Sequence, residues 1–215
     1  MLLIFDLDGT LFEAKPVVFK ADYALLDDLG LPPVDEETLV RAAGRGIYEF
    51  LAAILPEGFD IDAAWVRYIE IVCDVIKDCG ALFPGAAEAL ERLHKAGHEI
   101  VICSNSPEKY TKTVLEHTNI TAFVTRFVCA EDYGTKAAAV YSLLKPGAAA
   151  VVIGDTHGDI TAAMANELPS IAAMYGYGNK EMLAGADFFA ASPSEIVDCV
   201  ELLNRQNHNF AVFRG

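Results

Sequence analysis

The pentapeptide Asp6-Leu7-Asp8-Gly9-Thr10 follows the apolar run Leu2-Leu3-Ile4-Phe5, so two carboxylates are delivered two residues apart at the end of a buried strand. Such a pair is costly, because the charges repel and lose hydration on burial. It is usually tolerated only with a cation, a shared proton or catalytic use. A cation combined with catalysis is the reading favoured here. Gly9 can take the positive φ that a sharp exit from the strand needs, and Thr10 offers a hydroxyl to loose backbone groups. Three later segments carry groups of complementary chemistry. Ser104 and Asn105 follow an apolar run in Cys103-Ser104-Asn105-Ser106. Lys136 opens a helical pattern after Tyr133-Gly134-Thr135. Asp155 and Asp159 lie in Gly154-Asp155-Thr156-His157-Gly158-Asp159.

These residues must be positioned by regular elements. Short apolar runs recur at Leu2 to Phe5, Glu99 to Cys103, Phe127 to Cys129, Ala150 to Ile153 and Ser170 to Met174. Helical periodicity separates them, as in Ala86 to Lys95 and Lys136 to Leu144. Alternation of this kind predicts an α/β fold, a parallel sheet with helices on both faces. In such sheets ligands bind beyond the carboxyl ends of the strands, where Asp6, Ser104 and Asp155 fall. The interval from Ala14 to Phe83 breaks the rhythm and reads as helices alone: Val17 to Leu29, Glu36 to Ala43, Ile47 to Ile54 and Ala63 to Lys77. Pro32-Pro33, Pro56-Glu57-Gly58 and Pro84-Gly85 supply the breaks. The expected division is a core of residues 1–13 and 84–215 with an inserted helical cap, residues 14–83. The tail from Asn204 carries no pattern.

The Asp-x-Asp-Gly-Thr opening, then Ser104, Lys136 and the Asp155/Asp159 pair in that order, resemble the haloacid dehalogenase superfamily over residues 2 to about 178. The resemblance implies a Rossmann-like core and a magnesium-dependent phosphatase working through an aspartyl phosphate. By it, Asp6 is the nucleophile and Asp8 the general acid and base. Ser104 donates to a phosphoryl oxygen, and Lys136 neutralises charge on the phosphoryl group and on the nucleophile. Asp155 binds magnesium with a carboxylate oxygen of Asp6 and the backbone carbonyl of Asp8. Charge supports the cation separately. Asp6, Asp8, Asp155 and Asp159 against Lys136 leave -3, which would repel a phosphate dianion; one magnesium brings this to -1 and a protonated Asp8 to 0. Oxygen ligands and phosphate chemistry select a hard ion over zinc.

Several residues keep a second reading. A strand-end Asp such as Asp6 is often only a cap or turn former, and Ser104 or Asn105 could cap the next helix. Thr135 could be the N-cap with Lys136 in solvent, which would leave Lys109 or Lys112 as the phosphate-binding cation. Asp159 either assists the metal through water or braces Lys136. His157 reads as a solvent-facing loop residue. In Ala43-Gly44-Arg45-Gly46-Ile47 two glycines flank a cation before a helix, so Arg45 is either a substrate contact or a surface residue. The cap holds six basic against thirteen acidic residues, a net of -7, so anions are not attracted to it generally.

The whole chain of 215 residues carries a formal charge of -15, which argues against nucleic acid or an anionic membrane surface as partner. A small phosphorylated metabolite is the expected partner, with the protein a monomer or homodimer. The catalytic strand begins at residue 2 and no apolar stretch approaches membrane-spanning length, so a cytoplasmic location is expected. Five cysteines without a Cys-x-x-Cys spacing argue against a disulfide framework or a zinc site. The cap position and Tyr175-Gly176-Tyr177-Gly178 resemble the phosphoglycolate phosphatase branch, so the expected substrate is phosphoglycolate-like or a sugar phosphate. A phosphomutase of the β-phosphoglucomutase type would use the same aspartates. A true haloacid dehalogenase is disfavoured, because Asp8 is present. A signalling receiver domain would lack the helical insert, and a silent binding protein would not need every catalytic residue type.

Overall fold

The structure, a computed structural model, describes the backbone of residues 1–42 and 47–212 and the side chains of residues 1–39 and 48–205. Two compact units emerge: Met1–Glu13 with Ala81–Gly215, and Ala14–Gly80. The first carries six parallel strands: β1 (Leu2–Phe5), β2 (Glu99–Ser104), β3 (Arg126–Cys129), β4 (Ala150–Gly154), β5 (Ser170–Ala173) and β6 (Phe188–Ala190). Their order across the sheet is β3-β2-β1-β4-β5-β6. β1 pairs with β2 and with β4, which aligns Phe5 with Ile102 and with Ile153. The three strand ends therefore open on one spot, and Asp6, Ser104 and Asp155 follow from them.

Five strands fall where the apolar runs predict them; β6 does not stand out in the sequence. It is a three-residue strand at the sheet edge, Phe188-Phe189-Ala190, with Phe189 exposed, so it is less covered than the central strands. The crossover helices are α5 (Ala86–Lys95), α6 (Glu108–His117), α7 (Lys136–Leu143) and α8 (His157–Ala165), and α9 (Pro193–Val212) follows the last strand. Leu2, Ile4, Val101, Cys103 and Val152 pack against Ala139, Val140 and Leu143 of α7 and Ala162 and Ala163 of α8. The alternate residues Leu3, Phe5, Ile100, Ile102, Val151 and Ile153 are equally buried, so both faces of the sheet are covered. α9 runs into the tail that carries no sequence pattern.

Two helices that start near the strand ends have side-chain caps. Thr135 caps α7 by accepting the Ala138 N–H at 3.1 Å. Thr156 and Asp159 form a capping box on α8, each side chain bonding to the other residue's backbone N–H.

The second unit holds α1 (Ala14–Asp28), α2 (Glu36–Ala42), α3 (Ile47–Ile54) and α4 (Ile61–Cys79). Asp60 caps α4 through the Ala63 N–H at 3.0 Å, and Arg67 of α4 pairs with Asp28 of α1 at 2.6 Å. Ala81 to Phe83 lie with the sheet-bearing unit, where Leu82 bridges to Phe12 and the Phe83 N–H donates to the Leu11 carbonyl. None of the described helices is long and apolar enough to cross a membrane.

Candidate active site

β1 ends in a tight loop in which the N–H groups of Leu11 and Phe12 both donate to the Leu7 carbonyl. Gly9 makes this loop possible with φ near 85°, and its missing side chain matters as much, because a Cβ there would lie 2.2 Å from Asp155 Oδ2. The loop is thus closed down onto the acid that follows β4. Asp6, Asp155 and Asp159 are all buried and can each bring one carboxylate oxygen within 4.8 Å of the others.

Lys136 is the cation that reaches this cluster. Its ammonium group lies 2.5 Å from Asp6 Oδ1 and 2.5 Å from Asp159 Oδ1, and its side chain is 8% exposed. Thr135 is the N-cap, yet Lys136 is not in solvent, because the first turn of α7 faces the strand ends. Lys112, its sequence rival, pairs with Glu116 on the surface. Burial works against the Lys136 charge, but Asp159 and Asp6 outweigh it and push the pKa above the usual lysine range. Asp6 is pushed up chiefly by burial, with Lys136 pulling the other way.

Asp159 has both oxygens engaged, Oδ1 by Lys136 and Oδ2 by the backbone N–H and hydroxyl of Thr156 at 2.9 and 2.6 Å. Gly154 lets it tuck against the strand end, since a Cβ there would meet Asp159 Cγ at 2.1 Å.

Asp155 is held by donors from two loops. Thr10 Oγ1 donates to its Oδ1 at 3.0 Å, and the Tyr177 N–H donates to its Oδ2 at 2.7 Å. The Thr10 hydroxyl, which the sequence offers to loose backbone groups, is fully buried and turns inward to the Asp155 side chain. The Tyr175-to-Gly178 stretch wraps the same residue. A Cβ on Gly176 would sit 2.3 Å from Asp155 Cβ and 2.3 Å from the Gly9 carbonyl oxygen, and one on Gly178 would sit 2.0 Å from the Asp155 carbonyl oxygen. Tyr175 locks the wrap by donating to the Thr10 carbonyl at 2.7 Å. Burial pushes the Asp155 carboxyl up to about 6, the Tyr177 N–H opposing and the Asp159 charge adding to the rise.

Ser104 is buried and its Oγ accepts the Ser106 N–H at 3.0 Å. Neither Ser104 nor Asn105 caps α6, which has Pro107 at its N-cap. Asn105 is exposed beside Ser104, and His157 is exposed with Nδ1 3.2 Å from the Met182 carbonyl. Arg45 lies outside the described residues. Cys103 is buried under the site and burial pushes its thiol up to about 12, so it stays a neutral packing residue.

Two contacts were not legible in the sequence. Asp8 Oδ2 accepts from Ser106 Oγ at 2.6 Å and Oδ1 from the Tyr110 hydroxyl at 2.7 Å. Burial raises the Asp8 carboxyl, and these donors and Lys136 oppose it. The available signal was Tyr110 on the buried face of α6, because a buried phenol needs a partner for its hydroxyl.

The cluster fits a divalent metal. Three carboxylates against one ammonium leave two uncompensated negative charges in a buried space, and the donors are all hard oxygens. The family model of haloacid dehalogenase-like hydrolases matches residues 1–165. A phosphoglycolate phosphatase of Caulobacter vibrioides is 30% identical over 94% of this chain and 91% of its own length. One of Aliivibrio fischeri is 27% identical over 85% of this chain and 88% of its own. A haloacid dehalogenase-like hydrolase from Streptococcus pneumoniae shares the fold with a TM-score of 0.79 at 23% identity, over 93% of this chain and 97% of that one. With the acid cluster at the strand ends and the match over most of its length, this chain belongs to the haloacid dehalogenase-like hydrolase family, as one of its phosphatases.

Proposed function

We propose that the protein is a magnesium-dependent phosphatase that hydrolyses a small phosphomonoester through an aspartyl phosphate on Asp6. The observation that carries this reading is the buried Lys136 bridge, 2.5 Å from both Asp6 and Asp159, beside Asp155. An ammonium so placed neutralises the nucleophile while remaining in reach of incoming phosphoryl oxygens. Asp6 and Asp155, with the Asp8 backbone carbonyl, would hold magnesium, which supplies charge neutralisation for the phosphoryl group. Asp159 is engaged by Lys136 and Thr156 and braces the lysine instead.

In the first displacement Asp6 attacks phosphorus. The P–O ester bond breaks with its electron pair on the leaving oxygen, which takes a proton from Asp8. Water then attacks phosphorus, its proton passes to Asp8, and the bond to Asp6 breaks to restore the carboxylate. Ser104 donates its hydroxyl to the phosphoryl group, and Asn105 stands beside it for the same ligand.

The substrate is phosphoglycolate or a small ester like it, in keeping with the names of the relatives. The helical segment, residues 14–83, is assigned to substrate selection, with Arg45 as its contact. The test is phosphate release from 4-nitrophenyl phosphate with magnesium or with chelator, for wild type and Asp6→Asn. The expected result is magnesium-dependent turnover reduced at least about a thousandfold in the variant. Turnover that survives in Asp6→Asn would reject the covalent route, and a phosphorylated enzyme that does not turn over would favour a phosphomutase.

A further inference from the structure

Both oxygens of Asp8 have a hydroxyl donor, and the two donors are built differently. The Tyr110 ring is 5% exposed on the inner face of α6 and meets Phe12 edge-on, with centroids 6.4 Å apart at 84°. Its phenolic oxygen is therefore placed by packing. Ser106 sits in the loop between β2 and α6, where its N–H donates to Ser104 Oγ and its carbonyl accepts from Thr111 Oγ1 at 3.4 Å. Its backbone is held, but its hydroxyl turns about one bond and serves as donor or acceptor.

We propose that Tyr110 is a positioning residue for Asp8: its phenol fixes Oδ1, which leaves Oδ2 to exchange the proton while Ser106 Oγ follows that change. The inference rests on the phosphatase reading. When Asp8 carries the proton, the Oδ2–H bond is the one that breaks. The proton goes to the leaving oxygen, whose bond to phosphorus breaks as the Asp6–phosphorus bond forms. Tyr110 takes no part in bond making. It keeps the carboxyl plane from swinging about χ2, so that Oδ2 meets the leaving oxygen at hydrogen-bond range. Misplacement of a catalytic group by about 1 Å can cost a hundredfold in rate.

Proton delivery matters in proportion to how poor the leaving group is, which separates positioning from a purely structural role. Tyr110→Phe keeps the ring on Phe12 and removes only the hydroxyl. The experiment measures kcat/KM, which reports the first displacement, across phosphomonoesters from 4-nitrophenyl to simple alkyl leaving groups. For the alkyl esters Tyr110→Phe is expected to lose about ten- to a hundredfold, part of the roughly hundred- to ten-thousandfold that general acid catalysis supplies. For 4-nitrophenyl phosphate, whose leaving oxygen needs little protonation, the loss is expected to be several-fold smaller. Ser106→Ala should fall less than Tyr110→Phe on the alkyl esters, and Tyr110→Phe should add nothing in an Asp8→Ala background. An equal loss on every ester, or a full additive loss in that background, would overturn the proposal. Failure of the wild type to hydrolyse any ester would instead overturn the phosphatase reading, and this inference with it. Thermal unfolding of each variant separates a folding defect from these outcomes.

Discussion

Removal of one negative charge from the acid cluster should stabilise the metal-free protein, and Asp155→Asn is the cleanest way to do it. Its neighbours tolerate an amide: the Asn oxygen can keep the Tyr177 N–H, and its NH2 would face the Thr10 hydroxyl, which can accept. Two routes give the size of the effect. Unit charges within 4.8 Å of each other repel by about 3.5 kcal/mol at an effective dielectric near 20, and Asp155 carries roughly one such uncancelled repulsion. A carboxyl raised by burial from 3.8 to about 6 is disfavoured in its ionised form by about 3 kcal/mol. Burial is the largest cause of that rise and charge repulsion adds to it, so the two figures overlap rather than sum, and for a chain of this size about 3 kcal/mol corresponds to roughly 6–12 °C in Tm. The sign follows from the raised folded-state pKa. The penalty is fully present above about pH 6 and is relieved as pH falls toward 3.8, below which the carboxyl is protonated in both states. The assay is thermal unfolding of both proteins in chelator at pH 7.5 and pH 4.5, then with saturating magnesium. The variant should melt higher at pH 7.5 in chelator, and its advantage should shrink at pH 4.5. Magnesium should raise the wild type more, by about 2.7 kcal/mol at a hundredfold excess over Kd. A variant that melts at or below the wild type in chelator at pH 7.5 would refute the idea that uncompensated charge dominates this site.

Two further perturbations test other parts of the molecule. Lys136→Met fills the same space but leaves Asp6 and Asp159 buried without their cation, which should cost about 3–5 kcal/mol at neutral pH and abolish turnover. Denaturant unfolding should show the loss shrinking in acid as the Asp6 carboxyl, which burial pushes up, takes up a proton. Asp22 of α1 is fully buried; neither of its oxygens has a well-formed hydrogen bond, and burial pushes it up to about 7, with Tyr68 opposing in part. Its raised folded-state pKa makes stability fall as pH rises from about 4 to 7, by up to about 4 kcal/mol. Asp22→Asn should flatten that slope in a pH series of unfolding curves, and an unchanged slope would show that Asp22 is not its source.

Sequence alone determined which residue types could do chemistry, that Asp6, Ser104 and Asp155 fall at strand ends and that Lys136 opens a helix. That information is local: an apolar run of four or five residues marks a strand, and the acid or hydroxyl next in the chain lies at its carboxyl end. The pairing of β1 with β2 and β4 then converges Asp6, Ser104 and Asp155, as parallel topology requires. What each side chain meets was a tertiary matter. Lys136 finds Asp6 across 130 positions, and Tyr110 finds Asp8 across 102. No local pattern records either contact. Asp159 carries two duties that spacing cannot separate, since its place in the capping box is visible in Thr156-x-x-Asp159 whereas its hold on Lys136 depends on α7 lying beside α8. Thr10 reads as a free hydroxyl until Asp155 closes over it. The glycines at 9, 154, 176 and 178 read as loop residues until the backbone is seen to leave no room for a Cβ against the two acids. Periodicity reports how a segment buries itself; which polar atoms share a buried space is decided only when distant segments pack, because each unpaired charge there must find its partner or its ion.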